Sequence, residues 1–294
     1  MKIFKNIVVA TDFSDASLVA YQYAHRLASR FQASLKVVHA YQIFINAARP
    51  ELMDITPDPN ELLKFNEERM ANFIQEMEEV AQSDTLVASR IKVKTETRIG
   101  FAPEYLIELS KDPSVDLMVL GTSGEKNWFD RLLGSVAGEV ARHAHCPVLL
   151  VPMKADFTGI RNILYAAAAD SAKHKTLRTV VDWAKYFDAK LHFVHVENEE
   201  TAELRKSTKH FFENYMTQNA PDMPYSIESI EAKSVLKGLT QFSSKKQMDL
   251  LVVVSHHRDF WESLNHHSIT KDLSLHTHLP ILFLRSDAKS HPPV

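Results

Sequence analysis

Glycine is scarce in this chain: there are seven in 294 residues, where the usual frequency of about 7% would supply roughly twenty. Cysteine is scarcer still, with Cys146 alone. One thiol can form no internal disulfide and no cysteine-based metal knuckle, and its place before Pro147 at the start of an apolar run reads as a buried, inert side chain. Charge of one sign is lacking as well. A net charge of −3 supplies no broad basic field, which argues against nucleic acid and anionic membrane as partners. No uninterrupted apolar run reaches 18 residues, and the opening MKIFKNIVVATDFSD has too short an apolar stretch for a signal-peptide core. The expectation is a soluble, cytoplasmic protein. Its 45% hydrophobic content is enough for one large or two ordinary domains.

What is present is a repeat. Asn6-Ile7-Val8-Val9-Ala10 is echoed by Asn162-Ile163-Leu164-Tyr165-Ala166, and Leu35 to His39 by Leu191 to His195, both at an offset of 156. Asp116-Leu117-Met118-Val119-Leu120 matches Asp249-Leu250-Leu251-Val252-Val253, and His143 to Val148 matches His276 to Ile281, now at an offset of 133. The 23 extra residues of the first copy fall in YQIFINAARPELMDITPDPNE, after the second strand, and read as an excursion or lid. Two domains follow, at residues 1–153 and 159–287. In the first, short β-branched runs at Ile7 to Ala10, Leu35 to His39, Ile91 to Thr97, Leu117 to Leu120 and Val148 to Val151 read as parallel strands covered on both faces. Helices are predicted after Ser14 and over Asn60 to Val80, Pro103 to Lys111 and Ser135 to His143. The second copy places strands at Ile163 to Ala167, Leu191 to Val196, Tyr225 to Ile230, Leu250 to Val254 and Ile281 to Leu284. Strand and helix in alternation predict the α/β class: two tandem doubly wound, five-stranded parallel sheets of Rossmann-like form.

Three of the seven glycines crowd into GTSGEKNWFDRLLGS, residues 121–135. Gly121 and Gly124 follow the fourth strand, while Gly134 and Ser135 precede a helix. In open α/β sheets ligands bind beyond the carboxyl ends of strands, and a helix start offers free N–H groups to an anion. The stretch therefore reads as a two-part phosphate cradle, with Asp12 free to accept ribose hydroxyls or to hold a divalent cation. A plain turn and a plain loop fit the same glycines. No Gly-Lys-Ser/Thr and no G-x-G-x-x-G is present, which sets aside the two commonest phosphate loops.

Gly121, Gly124, Gly134 and Ser135 in this spacing, together with Ala10-Thr11-Asp12-Phe13-Ser14 and His145-Cys146-Pro147-Val148, closely resemble the universal stress protein family along the whole chain. The resemblance implies a fold like that of the adenine nucleotide alpha hydrolases, and ATP, AMP or ADP as ligand with Mg²⁺ carried on the nucleotide. It implies a site of Ala10, Thr11, Asp12, Ala40, Leu120, Gly121, Gly124, Gly134, Ser135 and Val136. Asp12 touches metal only through the nucleotide. One departure is Ala10, where many members have proline. The resemblance also implies that the fifth strands pair edge to edge, making the two copies an internal pseudo-dimer, and it leaves room for a homodimer and an unknown protein partner.

In the second copy Gly121, Gly124 and Gly134 become Val254, His257 and His267, and Asp12 stands against Ala168; only Ser135 survives, as Ser268. One nucleotide per chain is therefore expected, as a regulatory or interaction signal. No residue is assigned a catalytic role, although slow ATP hydrolysis, self-phosphorylation and a nucleotide-free scaffold remain as alternatives. His256-His257 and His266-His267 lack the spacing of a tetrahedral metal set. His39 and His195 read as hydrogen-bonded structural residues, and Trp128 and Trp261 as loop anchors.

Overall fold

The computed structural model describes residues 4–42, 58–85, 87, 91–122, 136–167, 174–197, 204–232, 235–254 and 278–285. The first half contains β1 (Asn6–Ala10), α1 (Asp15–Phe31), β2 (Ser34–Tyr41), α2 (Pro59–Ser83), β3 (Val93–Ile99), α3 (Ala102–Leu109), β4 (Leu117–Thr122), α4 (Val136–His143) and β5 (Val148–Pro152). The second contains β6 (Asn162–Ala166), α5 (His174–Phe187), β7 (Lys190–Glu197), α6 (Leu204–Asn219), β8 (Tyr225–Glu231), α7 (Val235–Lys246), β9 (Leu250–Val254) and β10 (Ile281–Leu284).

All ten strands join one sheet in the order β3-β2-β1-β4-β5-β10-β9-β6-β7-β8. Each half is parallel throughout, and its order reverses at the first strand: β2 pairs on one side of β1 and β4 on the other. The halves meet antiparallel, with Ile281 opposite Leu150 and Phe283 opposite Val148. Strands β5 and β10 thereby cover each other's edge, and each is buried along its whole length. Such a sheet of two tandem Rossmann-like units is what the repeat predicts.

The apolar face of α1 explains its packing. Tyr21, Ala24, Leu27, Ala28 and Phe31 recur at three and four and are all buried. Together with α2 they cover one side of the sheet over Ile7, Val9, Val37 and Val119. Helices α3 and α4 cover the other, over Val8, Val38, Met118 and Leu120.

Strand β3 departs from its predicted bounds and character. It runs two residues later, and its KTETR segment is largely solvated because β3 and β8 are the outermost strands of the sheet, not strands sandwiched on both faces. Charged side chains suit such an edge. Cys146 is buried as expected, and desolvation pushes its thiol up to about 12. Most of the insertion, Trp128, Trp261 and the paired histidines lie outside the described residues.

Candidate functional site

The carboxyl ends of β1, β2 and β4 lie side by side at the point where the strand order reverses. Ala10 ends β1, with Thr11 and Asp12 following it; Ala40 is near the end of β2; Leu120 and Gly121 are near the end of β4. Val136, exposed, opens α4. Gly124, Gly134 and Ser135 lie outside the described residues.

The loop after β1 is held by its own short polar side chains. Thr11 is buried, and its N–H donates to the Val38 carbonyl at 2.9 Å. Its hydroxyl pairs with that of Ser17 at 2.9 Å and accepts the Phe13 N–H at 3.0 Å. Its carbonyl accepts from His39 Nδ1 at 2.7 Å. Thr11 is therefore a brace, with its hydrogen-bonding groups turned into the fold. Phe13 takes φ +64°, a strained value for a residue with a Cβ. Its ring packs on His39 at 4.4 Å and on Phe73 at 5.8 Å, and the Arg69 guanidinium lies over it at 4.4 Å. These contacts hold the strained turn and leave the next side chain back, Asp12, in solvent.

Asp12 Oδ1 accepts from the Ser14 amide at 3.1 Å and the Ser14 hydroxyl at 2.5 Å. Desolvation raises its pKa, but the bonds from Ser14, with help from Ser17, outweigh it and hold the carboxyl below 3.8. Ser14 also caps α1, its Oγ accepting the Ser17 amide at 3.3 Å. A depressed folded pKa stabilises the protein above the unfolded value, and this contribution is lost as pH falls through the folded one. Replacing Ser14 by alanine removes both functions. The expected cost is about 1 kcal/mol of stability, with the Asp12 pKa rising in an NMR titration.

Gly121 lacks room for a side chain for a reason within the fold, which its sequence neighbours do not reveal. A Cβ there would lie 2.3 Å from the Ala16 carbonyl oxygen and 2.5 Å from its carbon. What crowds this glycine is the first turn of α1, so the missing side chain lets that helix start close against the end of β4. The second half carries no glycine at this position. Val254, at the matching end of β9, has an isopropyl group and is buried. The strand-end histidine does repeat, with His195 Nδ1 bonded to the Ala167 carbonyl at 2.9 Å, so both histidines are the hydrogen-bonded residues the sequence predicts. Sequence reasoning passed over Phe13, Ser17 and Arg69. The only signal for Arg69 was the spacing of four among Phe65, Arg69 and Phe73 along α2.

A tandem doubly wound sheet whose strand order reverses at β1/β4 defines a class of Rossmann-like α/β proteins. Comparison with known proteins makes it specific: residues 3–152 match the model of the universal stress protein family, and the chain belongs to that family. A universal stress protein of Methanocaldococcus jannaschii is 30% identical over 151 residues, which is 51% of this chain and 82% of that protein. One from Mycobacterium tuberculosis is 33% identical over 147 residues, 49% of this chain and 46% of the relative, so the match spans about half of each. Among solved structures, a universal stress protein from Archaeoglobus fulgidus superposes with a TM-score of 0.67 over 96% of this chain and 98% of its own, at 16% identity. That likeness extends the fold across both halves.

Proposed function

We propose that the first half binds one adenine nucleotide, ATP or a close relative, in the crevice between β1 and β4, and that occupancy is the signal the protein transmits. Units at residues 1–153 and 159–287 divide the work: the first senses the ligand, and the second is a structural or partner-binding half. A cytoplasmic setting accords with this role, and no helix among the described residues is long and apolar enough to cross a membrane.

The observation that supports the reading most is convergence. Ala10, Thr11, Asp12, Ala40, Leu120, Gly121 and Val136, scattered over 127 positions of sequence, fall at three neighbouring strand ends and one helix start. Asp12 supplies an exposed carboxylate kept ionised by Ser14, suited to ribose hydroxyls or to a cation carried on the phosphates. The start of α4 supplies N–H groups to an anion. In the second half Val254 fills the matching strand end and Ala168 offers no carboxylate.

Calorimetric titration with ATP tests this. The expected stoichiometry is one per chain. Asp12→Ala is expected to weaken binding at least tenfold, about the worth of one hydrogen bond to a charged group. Two equivalent sites, or undiminished affinity in the variant, would overturn the proposal.

A further inference from the structure

The second half contains a cavity that the nucleotide reading does not use. It has a volume of about 130 Å³ and lies beneath α6, beside the ends of β7 and β8. Phe193, Phe212 and Ile227 wall it, and His195, Ser229 and Lys209 add polar groups. The Phe193 and Phe212 rings stack at 4.4 Å and 22°. This is the sheet face of α1 and α2, since Phe193, Phe212 and Ala167 belong to their core. Leu120 and Ala10 of the nucleotide crevice belong to the opposite face. The cavity thus lies on the other face of the sheet from Ala10 and Leu120, and shares with the nucleotide site the position of Thr11, to which Ala167 corresponds.

His195 gives the cavity its chemistry. The residue is 7% exposed, and its Nδ1 bonds to the Ala167 carbonyl. A carbonyl only accepts, so Nδ1 carries a hydrogen, and in that tautomer Nε2 presents a lone pair. That atom is buried and has no hydrogen-bond partner in the structure. In the first half the matching imidazole is roofed by Phe13 and stacked by Tyr41 at 6.0 Å. At the same offset of 156 the sequence has Ala169 for Phe13 and Glu197 for Tyr41, neither of them aromatic. The sequence of the second half thus supplies neither of the two rings that cover His39 in the first.

We propose that this cavity binds a small monocyclic phenol. Its ring would lie among Phe193, Phe212 and Ile227 and its hydroxyl would donate to His195 Nε2, with Ser229 within the same lining. At about 130 Å³ it is close to the roughly 150 Å³ of an apolar cavity that takes benzene, and because it is partly open to solvent a single six-membered ring is the largest it admits. The hydroxyl satisfies Nε2 of His195, a buried atom that has no hydrogen-bond partner. The cation of Lys209, already 3.7 Å from Glu213, stands at the solvent side of the site.

The test is titration of the full chain with phenol and with benzene, followed by ¹⁵N NMR of the His195 ring. Phenol is expected to bind with a dissociation constant on the order of 1 mM or tighter. It should shift the Nε2 resonance and bind at least tenfold more tightly than benzene, the worth of about one neutral hydrogen bond. Ile227→Phe, which plugs the cavity without touching the imidazole, should abolish the shift; should that variant misfold, the phenol and benzene comparison decides alone. Equal affinity for the two ligands, or no saturable shift of His195, overturns the proposal.

Discussion

Gly121→Ala is expected to destabilise the protein by about 3 kcal/mol, and Gly121→Val to prevent folding. The added Cβ would meet main-chain atoms of Ala16 at 2.3 and 2.5 Å, and a helix backbone cannot swing aside as a side-chain tip can. Overpacking a well-filled interior usually costs about 1–3 kcal/mol, and displacing the start of α1 lies at or beyond the upper end. The helix is anchored there by the Ser14 cap and by the Thr11–Ser17 hydroxyl pair, so it cannot retreat without breaking both. Urea denaturation of the ligand-free chain measures the effect. A variant of unchanged stability that loses only nucleotide affinity would show that the glycine serves the ligand and not the helix. Because Asp12 stands just before the start of α1, which the substitution displaces, the variant is expected to lose stability and ligand affinity together.

That residue shows where sequence is informative and where it is not. The cluster of glycines was visible as an anomaly of composition, and its position after β4 followed from the strand pattern. The steric demand on Gly121 within the fold was not visible, since the group it avoids stands 105 residues away. Strands β9 and β10 were legible to the residue, because LLVVV and ILFL are apolar runs buried on both faces. Strand β3 was not, because its register is set by pairing with β2, from Leu35 opposite Val93 to Tyr41 opposite Ile99, and not by its own hydrophobicity. The repeat offsets foretold the equivalent bonds of His39 and His195. They did not foretell that Phe13 adopts a left-handed conformation to cover the first of these. Local periodicity therefore yields buried elements, while loop geometry at the site depends on partners brought in from α2 and β2.

Trp183→Ala is expected to cost about 3–5 kcal/mol, the range for removing a large buried aromatic, and to weaken the coupling between halves. Trp183, on α5 of the second half, is 1% exposed and meets Phe4 of the first edge to face at 4.8 Å. Phe4 in turn packs on Phe31 at 4.8 Å, and Phe31 lies 4.4 Å from Tyr186 and 5.4 Å from Phe187. The Tyr186 hydroxyl donates to the Arg30 carbonyl at 2.8 Å, and Arg30 sits over Phe187 at 5.4 Å. Nearby, Arg26 bonds to Asp84 at 2.6 Å, to Asp156 and to the Phe157 carbonyl, fastening the segment between β5 and β6 to α1. This aromatic seam and the β5–β10 pairing join the halves into one cooperative unit. The wild-type chain should accordingly unfold in a single urea transition, whereas Trp183→Ala should separate into two, the first at lower denaturant. Trp183→Phe is the control: it keeps most of the ring contacts and removes an indole N–H that has no hydrogen-bond partner, so its loss should stay below about 1.5 kcal/mol. If Trp183→Ala unfolds in one transition of unaltered midpoint, the seam does not couple the halves. A ligand bound in the first would then reach the second through the two paired strands and the Arg26 contacts to Asp156 and Phe157.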